Sequence, residues 1–60
     1  MYEREAQKIE EQGFREAAAL LRAGLPRAAR NNIRRFEPAS IGEAGAKRAA
    51  MAALPEIEEE

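Results

Sequence analysis

Alanine accounts for more than half of the apolar residues in this chain, which limits the kind of core that it can build. Fourteen of its 27 apolar residues are alanine, and only thirteen are large. A chain of 60 residues buries only about 60% of the surface that it exposes when unfolded, so its stability is marginal. We therefore expect one small domain in which backbones pack closely, supported by a partner or by self-association.

The spacing of the small and apolar residues indicates helices. These residues recur every three or four positions, as on one face of an α-helix, and β-branched residues do not alternate with polar ones. Glycine and proline occur where helices begin and end. We therefore predict an all-α fold, a small three-helix bundle with helices at about 2–23, 26–36 and 41–54 and with successive helices antiparallel.

The first predicted helix contains a glycine near its middle, where two interpretations are open. One stripe of small and apolar residues runs along the segment: Tyr2, Ala6, Ile9, Gly13, Ala17, Leu20 and Gly24. Gly13 costs a helix interior about 1 kcal/mol, but Glu11 and Arg15 can pair across it. We favour a single helix over residues 2–23 that is kinked at Gly13. The alternative is a break at Gln12-Gly13-Phe14, which makes the first helix short.

Glycine and proline also predict where the second helix begins and ends. Gly24 suits the left-handed position that follows a helix, Leu25 can pack back on that helix, and Pro26 suits the first turn of the next one. Glu37-Pro38 ends the second helix, because a residue that precedes proline avoids helical dihedral angles.

The third predicted helix has a start signal and a stop signal. Ser40-Ile41-Gly42-Glu43 has the form of a capping box, in which Ser40 accepts a hydrogen bond from the N–H of Glu43 and Glu43 returns one. Pro55 ends the helix. We therefore expect one helical domain over residues 1–54 and a frayed acidic tail over residues 55–60.

Residue types that are missing exclude several classes of site. The sequence contains no cysteine and no histidine, which excludes disulfides, zinc sites of the Cys/His type and catalysis by Cys–His or Ser–His pairs. The carboxylates fall on helical turns at 3–11 and in the tail, without the arrangement of an acid–base pair or a calcium loop. We therefore expect no catalytic residues, no metal site and no cofactor, in a protein that is not an enzyme.

The hydropathy pattern argues against a membrane protein. The longest apolar run is the six residues Ala49–Leu54, whereas a membrane-spanning helix needs about 20. The segment that begins at Met1 lacks a secretory apolar stretch. We therefore expect a cytoplasmic protein that makes no use of a membrane.

Positive charge is concentrated in the middle of a chain whose net charge is −1. Residues 13–36 contain six arginines and one glutamate, and residues 55–60 contain four glutamates. The second predicted helix places three arginines along one side with a fourth beside them, and we call this set the arginine stripe: Arg27, Arg30, Arg34 and Arg35. Arginines at this spacing can bind successive phosphates or carboxylates with their forked donors, although a solvated polar face also explains them.

Two further basic residues stand near the start of the third predicted helix. Lys47 and Arg48 lie about one turn after the first N–H groups of that helix, which together with these cations can hold a phosphate. The complete set of candidate partner-binding residues is therefore Arg27, Arg30, Arg34, Arg35, Lys47 and Arg48.

The third predicted helix also has a face of small residues. They recur every three or four positions, and we call them the small-residue stripe: Gly42, Ala46, Ala49 and Ala53. Two helices that lack bulky side chains can approach closely and gain dispersion contacts. These four residues are therefore the candidates for self-association into a homo-oligomer.

One stretch of about a third of the chain carries a family resemblance. The residues concerned are Gly24-Leu25, Ala29-Arg30, Ile33, Phe36, Pro38-Ala39-Ser40-Ile41-Gly42 and Ala44. Without gaps, residues 24–44 resemble the C-terminal helical subdomain of the tRNA wobble-uridine-modifying flavoproteins (glucose-inhibited division protein A). In that family the helical end is associated with tRNA and a partner GTPase, and the flavin chemistry lies in other domains. The chain differs at Glu43, where the family has glutamine, and it lacks the threonine-containing step that follows.

The resemblance implies a binding module without catalytic residues of its own. The basic residues that it implies as contacts are Arg27, Arg30, Arg34, Lys47 and Arg48.

Three functional hypotheses follow from the sequence. The leading one is a non-catalytic interaction module that binds an acidic partner, RNA or protein, through the arginine stripe. The second is a designed or idealised helical scaffold without natural activity, which would explain why aspartate, threonine, valine and tryptophan are missing. The third is a structural protein that self-associates through the small-residue stripe.

Overall fold

The structure is a computed structural model that describes residues 2–56, and all regular secondary structure in this range is α-helical. The helices are α1 (Glu3–Glu11), α2 (Arg15–Arg22), α3 (Pro26–Arg34) and α4 (Ile41–Ala53). The prediction of an all-α fold is confirmed. The prediction of a three-helix bundle is wrong for the described range, which contains four helices.

The helix predicted over residues 2–23 is interrupted at Gly13. The prediction of one continuous helix is therefore wrong, and the alternative of a short first helix is confirmed. Gly13 has a φ of +95°, a left-handed conformation that favours glycine. Its N–H donates to the carbonyl of Glu10, and the N–H of Phe14 donates to the carbonyl of Ile9. These two bonds form a Schellman motif, which ends a helix. The resulting turn lets α2 fold back on α1 and buries Phe14, which is 9% exposed.

The turn at Gly24 repeats the geometry of the turn at Gly13. Gly24 has a φ of +80°, its N–H donates to the carbonyl of Leu21, and the N–H of Leu25 donates to the carbonyl of Leu20. The predicted left-handed glycine is therefore confirmed. The sequences that lead into the two turns also match each other at a distance of eleven residues: Arg4-Glu5-Ala6, Ile9 and Gly13 correspond to Arg15-Glu16-Ala17, Leu20 and Gly24.

The junction between α3 and α4 agrees with the predicted signals, with two small differences. α3 ends at Arg34 rather than at residue 36, and the N–H of Phe36 donates to the carbonyl of Ile33. At the start of α4, the N–H of Glu43 donates to Ser40 Oγ at 3.1 Å, as predicted. Glu43 Oε1 accepts its return bond from the N–H of Ala39, at 2.7 Å, and not from that of Ser40.

The helices are arranged as a ring around one core. α2 packs between α1 and α3, and α4 closes the ring by packing on both α1 and α3. Alanine supplies five of the nine buried residues in the described range, which are Ala6, Ile9, Phe14, Ala17, Ala18, Leu21, Ala29, Ile33 and Ala50. Because alanine side chains are short, helices that pack through them can approach one another closely.

Part of the predicted tail lies outside the described residues. Pro55 and Glu56 are described and follow the end of α4, whereas residues 57–60 and Met1 lie outside. The division into a domain and an acidic tail therefore stays a prediction. No helix within residues 2–56 is both long enough and apolar enough to cross a bilayer.

The substitution Gly13→Ala should destabilise the fold. A Cβ at position 13 would meet no atom within 4 Å, but the φ of +95° is strained for alanine. We expect a loss of about 1–2 kcal/mol in the free energy of unfolding, measured by urea denaturation.

The matched control is Gly45→Ala. Gly45 lies inside α4, and a Cβ there would also meet nothing within 4 Å, so alanine should stabilise the helix by about 0.5–1 kcal/mol. If both substitutions stabilise the chain equally, residues 12–14 are helical and the break at Gly13 is wrong.

Candidate binding surface on α3 and the adjoining groove

Two salt bridges, neither of which involves a predicted partner-binding residue, join α1 to α2. Arg22 Nε lies 3.1 Å from Glu3 Oε2, and Arg22 Nη2 lies 3.3 Å from Glu10 Oε1. The hydrogen bond that Arg22 donates to Glu3 lowers the pKa of Glu3 from its ordinary value and raises the pKa of Arg22. Two glutamates of α1 are therefore engaged by α2 and not by the arginine stripe on α3.

The arginine stripe lies along α3, where its members differ in exposure. Arg27, Arg34 and Arg35 are exposed, and Arg30 is half-buried. Arg34 and Arg35 both bond to Asn31, Arg34 to its side-chain oxygen and Arg35 to its carbonyl oxygen. Neither Arg34 nor Arg35 forms an ion pair with any residue of the described range. Their guanidinium groups are therefore available to a carboxylate or phosphate from outside this range.

Lys47 is placed differently from the other predicted partner-binding residues. Its half-buried side chain reaches the C-terminal end of α3, where Nζ donates to the carbonyl of Arg34, at 2.9 Å, and to that of Phe36, just beyond the helix, at 2.7 Å. A cation at this position also interacts favourably with the negative end of the α3 dipole. We therefore expect Lys47 to hold α4 against α3 rather than to contact a partner.

Arg48 follows Lys47 in the sequence but lies on the exposed side of α4. Successive residues of a helix are about 100° apart around its axis. The structure therefore does not place Lys47 and Arg48 together as the phosphate-binding pair that we predicted, because Lys47 faces α3.

The small-residue stripe is divided between the core and the surface. Ala46 and Ala53 pack against the core, whereas Gly42 and Ala49 are exposed. The fully buried residue of α4 is Ala50, which the predicted stripe omits. Part of the small-residue face is therefore used inside the molecule, and its role in self-association stays a prediction.

A surface groove between α2 and α3 was not predicted from the sequence. It has a volume of about 420 Å³. The rings of Phe14 and Phe36 line it and meet edge to face, with centroids 5.1 Å apart and planes at 81°. We call it the Phe14–Phe36 groove. Phe14 lies at the start of α2 and Phe36 just after the end of α3, so the turn at Gly24, which folds α3 back on α2, brings the two rings together.

Charged and polar side chains form the rim of the Phe14–Phe36 groove. Arg15 and Glu16 come from the first turn of α2, and Asn32 and Arg35 come from α3 and its end. Asn32 Nδ2 donates to Glu16 Oε2 at 3.3 Å and links the two helices. Arg15 and Arg35 are exposed, and neither pairs with a carboxylate of residues 2–56. This rim can therefore bind a carboxylate or a phosphate.

The described part of the chain, residues 2–56, contains no group of three or more acidic side chains placed to hold a metal ion. The candidate site consists of the exposed basic residues of α3 and of the Phe14–Phe36 groove, whose forked donors can bind anions.

No protein-family model, no curated protein and no solved structure matches this chain. The resemblance of residues 24–44 to the tRNA-modifying flavoproteins is therefore untested and stays a prediction.

The substitution Lys47→Met should destabilise the junction of α3 and α4. It removes the cation that bonds two carbonyls at the end of α3, and we expect a loss of about 1–2 kcal/mol in the free energy of unfolding. The matched control is Arg48→Met, which changes the neighbouring, exposed cation and should have little effect. Equal losses in urea denaturation would contradict the structural role of Lys47.

The substitution Arg22→Gln should make the free energy of unfolding less sensitive to pH in the acidic range. Arg22 holds the pKa of Glu3 below its ordinary value of 4.5. Ionised Glu3 therefore adds stability above its unfolded-state pKa, and this contribution is lost as the pH falls through the lower folded-state pKa. The unmodified chain should exceed the variant in stability at neutral pH, and the difference should shrink in strong acid. A difference in urea denaturation that does not change with pH would contradict this assignment.

Proposed function

We propose that this chain is a non-catalytic helical interaction module that binds an acidic partner, RNA or protein, through the arginine stripe of α3. The observation that carries the proposal is the division of α3 into two sides. Ala29 and Ile33 are fully buried in the core, while Arg27, Arg34 and Arg35 are exposed. The same packing that anchors the helix therefore presents its arginines to solvent.

Contacts on both flanks of α3 support a rigid display of these arginines. On one flank, Asn32 bonds to Glu16 of α2, and on the other Lys47 of α4 bonds to the carbonyls at the end of α3. A helix that is already held in place loses little conformational entropy when it binds a partner. Binding energy from the arginines is then not offset by ordering of the backbone.

The distribution of charge supports an anionic partner. Residues 13–36 carry six arginines and one glutamate, and two of the α1 glutamates are held by Arg22. A local excess of positive charge attracts polyanions over distances of about 10 Å, within the screening length of salt. We therefore expect binding that depends strongly on ionic strength.

The double substitution Arg27→Glu with Arg34→Glu should weaken binding to an anionic probe by about tenfold or more and should reduce the slope of affinity against salt. Both side chains are exposed, so the fold should persist, which circular dichroism verifies. Fluorescence anisotropy with a labelled structured RNA and with labelled polyglutamate, at low and at physiological salt, measures the affinities.

The control for this experiment is Arg4→Glu with Lys8→Glu, which makes the same change in net charge on the exposed side of α1. Equal losses in the two variants would show a general effect of charge and contradict a specific role for the stripe. Binding that survives the α3 substitutions would also contradict the proposal.

A further inference from the structure

We propose that the Phe14–Phe36 groove binds an acidic peptide segment of the partner, with one apolar side chain against Phe36 and the small exposed part of Phe14, and with flanking carboxylates on Arg15 and Arg35. This inference rests on the proposed function, because it identifies the class of acidic partner that the basic surface recognises. It adds a site that lies partly outside the arginine stripe, of which only Arg35 borders the groove.

The lining of the groove provides an apolar contact of suitable size. Its volume of about 420 Å³ lies within the usual range for ligand sites, about 300–1,000 Å³. Phe36 is only half-buried and packs edge to face on Phe14. Gly13 also borders the groove and brings no side chain that would fill it. An aliphatic side chain placed here would remove exposed ring surface from water, which is favourable.

The rim provides charge complementarity to carboxylates. Arg15 and Arg35 come from the two different helices that form the groove, and neither pairs with a carboxylate of the described range. Arg35 uses Nε for the carbonyl of Asn31, and its terminal nitrogens can bind an acidic group. The forked donors of arginine fit a carboxylate in bidentate fashion. In a peptide that carries an apolar residue between acidic ones, the apolar side chain can therefore contact the aromatic lining while the carboxylates bind the arginines of the rim.

The same groove is poorly suited to single-stranded RNA. Sequence-tolerant RNA binding depends on broad aromatic faces on which bases stack, but Phe14 is only 9% exposed and meets Phe36 edge to face. Glu16 also lines the groove and is held there by Asn32. A nucleotide backbone carries a negative charge at each residue and would bring a phosphate near this carboxylate, whereas the apolar residue of the peptide brings no charge into the groove.

The test is an amide-resolved NMR titration of the full chain with three short probes. The first is an acetylated, amidated peptide of sequence Glu-Glu-Leu-Glu-Glu, the second replaces its leucine with serine, and the third is a short oligouridylate. We expect the leucine peptide to bind about tenfold more tightly than the serine peptide. We also expect its largest shift changes at Gly13, Arg15, Phe36 and the side-chain amide of Asn32.

A pair of matched variants assigns the binding to the rim of the groove. The double substitution Arg15→Gln with Arg35→Gln should weaken binding of the leucine peptide by about tenfold. The control Arg4→Gln with Arg48→Gln removes two exposed arginines from α1 and α4. Its affinity for the leucine peptide should stay within about twofold of that of the unmodified chain. All four side chains are exposed, and amide spectra of the free variants verify that the fold is retained.

The outcomes separate this inference from the proposed function. The proposed peptide site is wrong if the two peptides bind equally. It is also wrong if the oligouridylate causes larger chemical-shift changes at the groove than the leucine peptide does. The proposed function survives that result if polyglutamate or structured RNA still loses affinity in the Arg27→Glu, Arg34→Glu variant. A different result is that the leucine peptide binds at the groove while those substitutions leave the affinity for polyglutamate and RNA unchanged. In that case the arginine stripe does not bind the partner, and the groove alone is the site.

Discussion

Two left-handed glycines govern the architecture of this chain. At Gly13 and Gly24 the backbone adopts positive φ, and a Schellman pair of hydrogen bonds ends the preceding helix. Each turn is followed by a large apolar residue, and Phe14 in particular enters the core. Without the first turn, α1 and α2 would form one rod, and α2 could not pack against α1. The second turn folds α3 back on α2 and brings Phe36 to Phe14. The groove and the packing of α2 against α1 therefore depend on a backbone conformation that favours a residue without a Cβ.

Polar contacts also link the short helices to one another. With a core in which alanine predominates, each helix buries little large apolar surface, so links between helices matter more than in a larger domain. Arg22 joins α2 to α1, Asn32 joins α3 to α2, and Lys47 joins α4 to α3. These links hold α3 from both sides. Arg22 and Lys47 are thus used within the fold, whereas Arg15 and Arg48 on the same helices are exposed.

There is a physical reason why the break at Gly13 was only the less favoured of the two interpretations. The two sequences that lead into the glycine turns match at a distance of eleven residues, and eleven residues are about three turns of an α-helix. The apolar stripe therefore keeps its phase across the break, and periodicity alone does not distinguish one long helix from two short ones. The repeat itself, with glycine at the same position in both copies, is the signal that would have located the break. For the candidate site, helical spacing identified the exposed arginines of α3 but could not show that Lys47 bonds carbonyls of α3.

The sequence by itself determined the all-α class, the turn at Gly24, the cap formed by Ser40 and the exposed side of α3. These features follow from local rules of backbone conformation and helical spacing, which operate within a few residues. Only the tertiary structure decided that Ala46 and Ala53 face inward and that Phe14 meets Phe36 beside two arginines. Those placements depend on how each helix rotates about its axis to fill the core. That rotation is a collective outcome of packing between segments distant in the chain, and no local pattern encodes it.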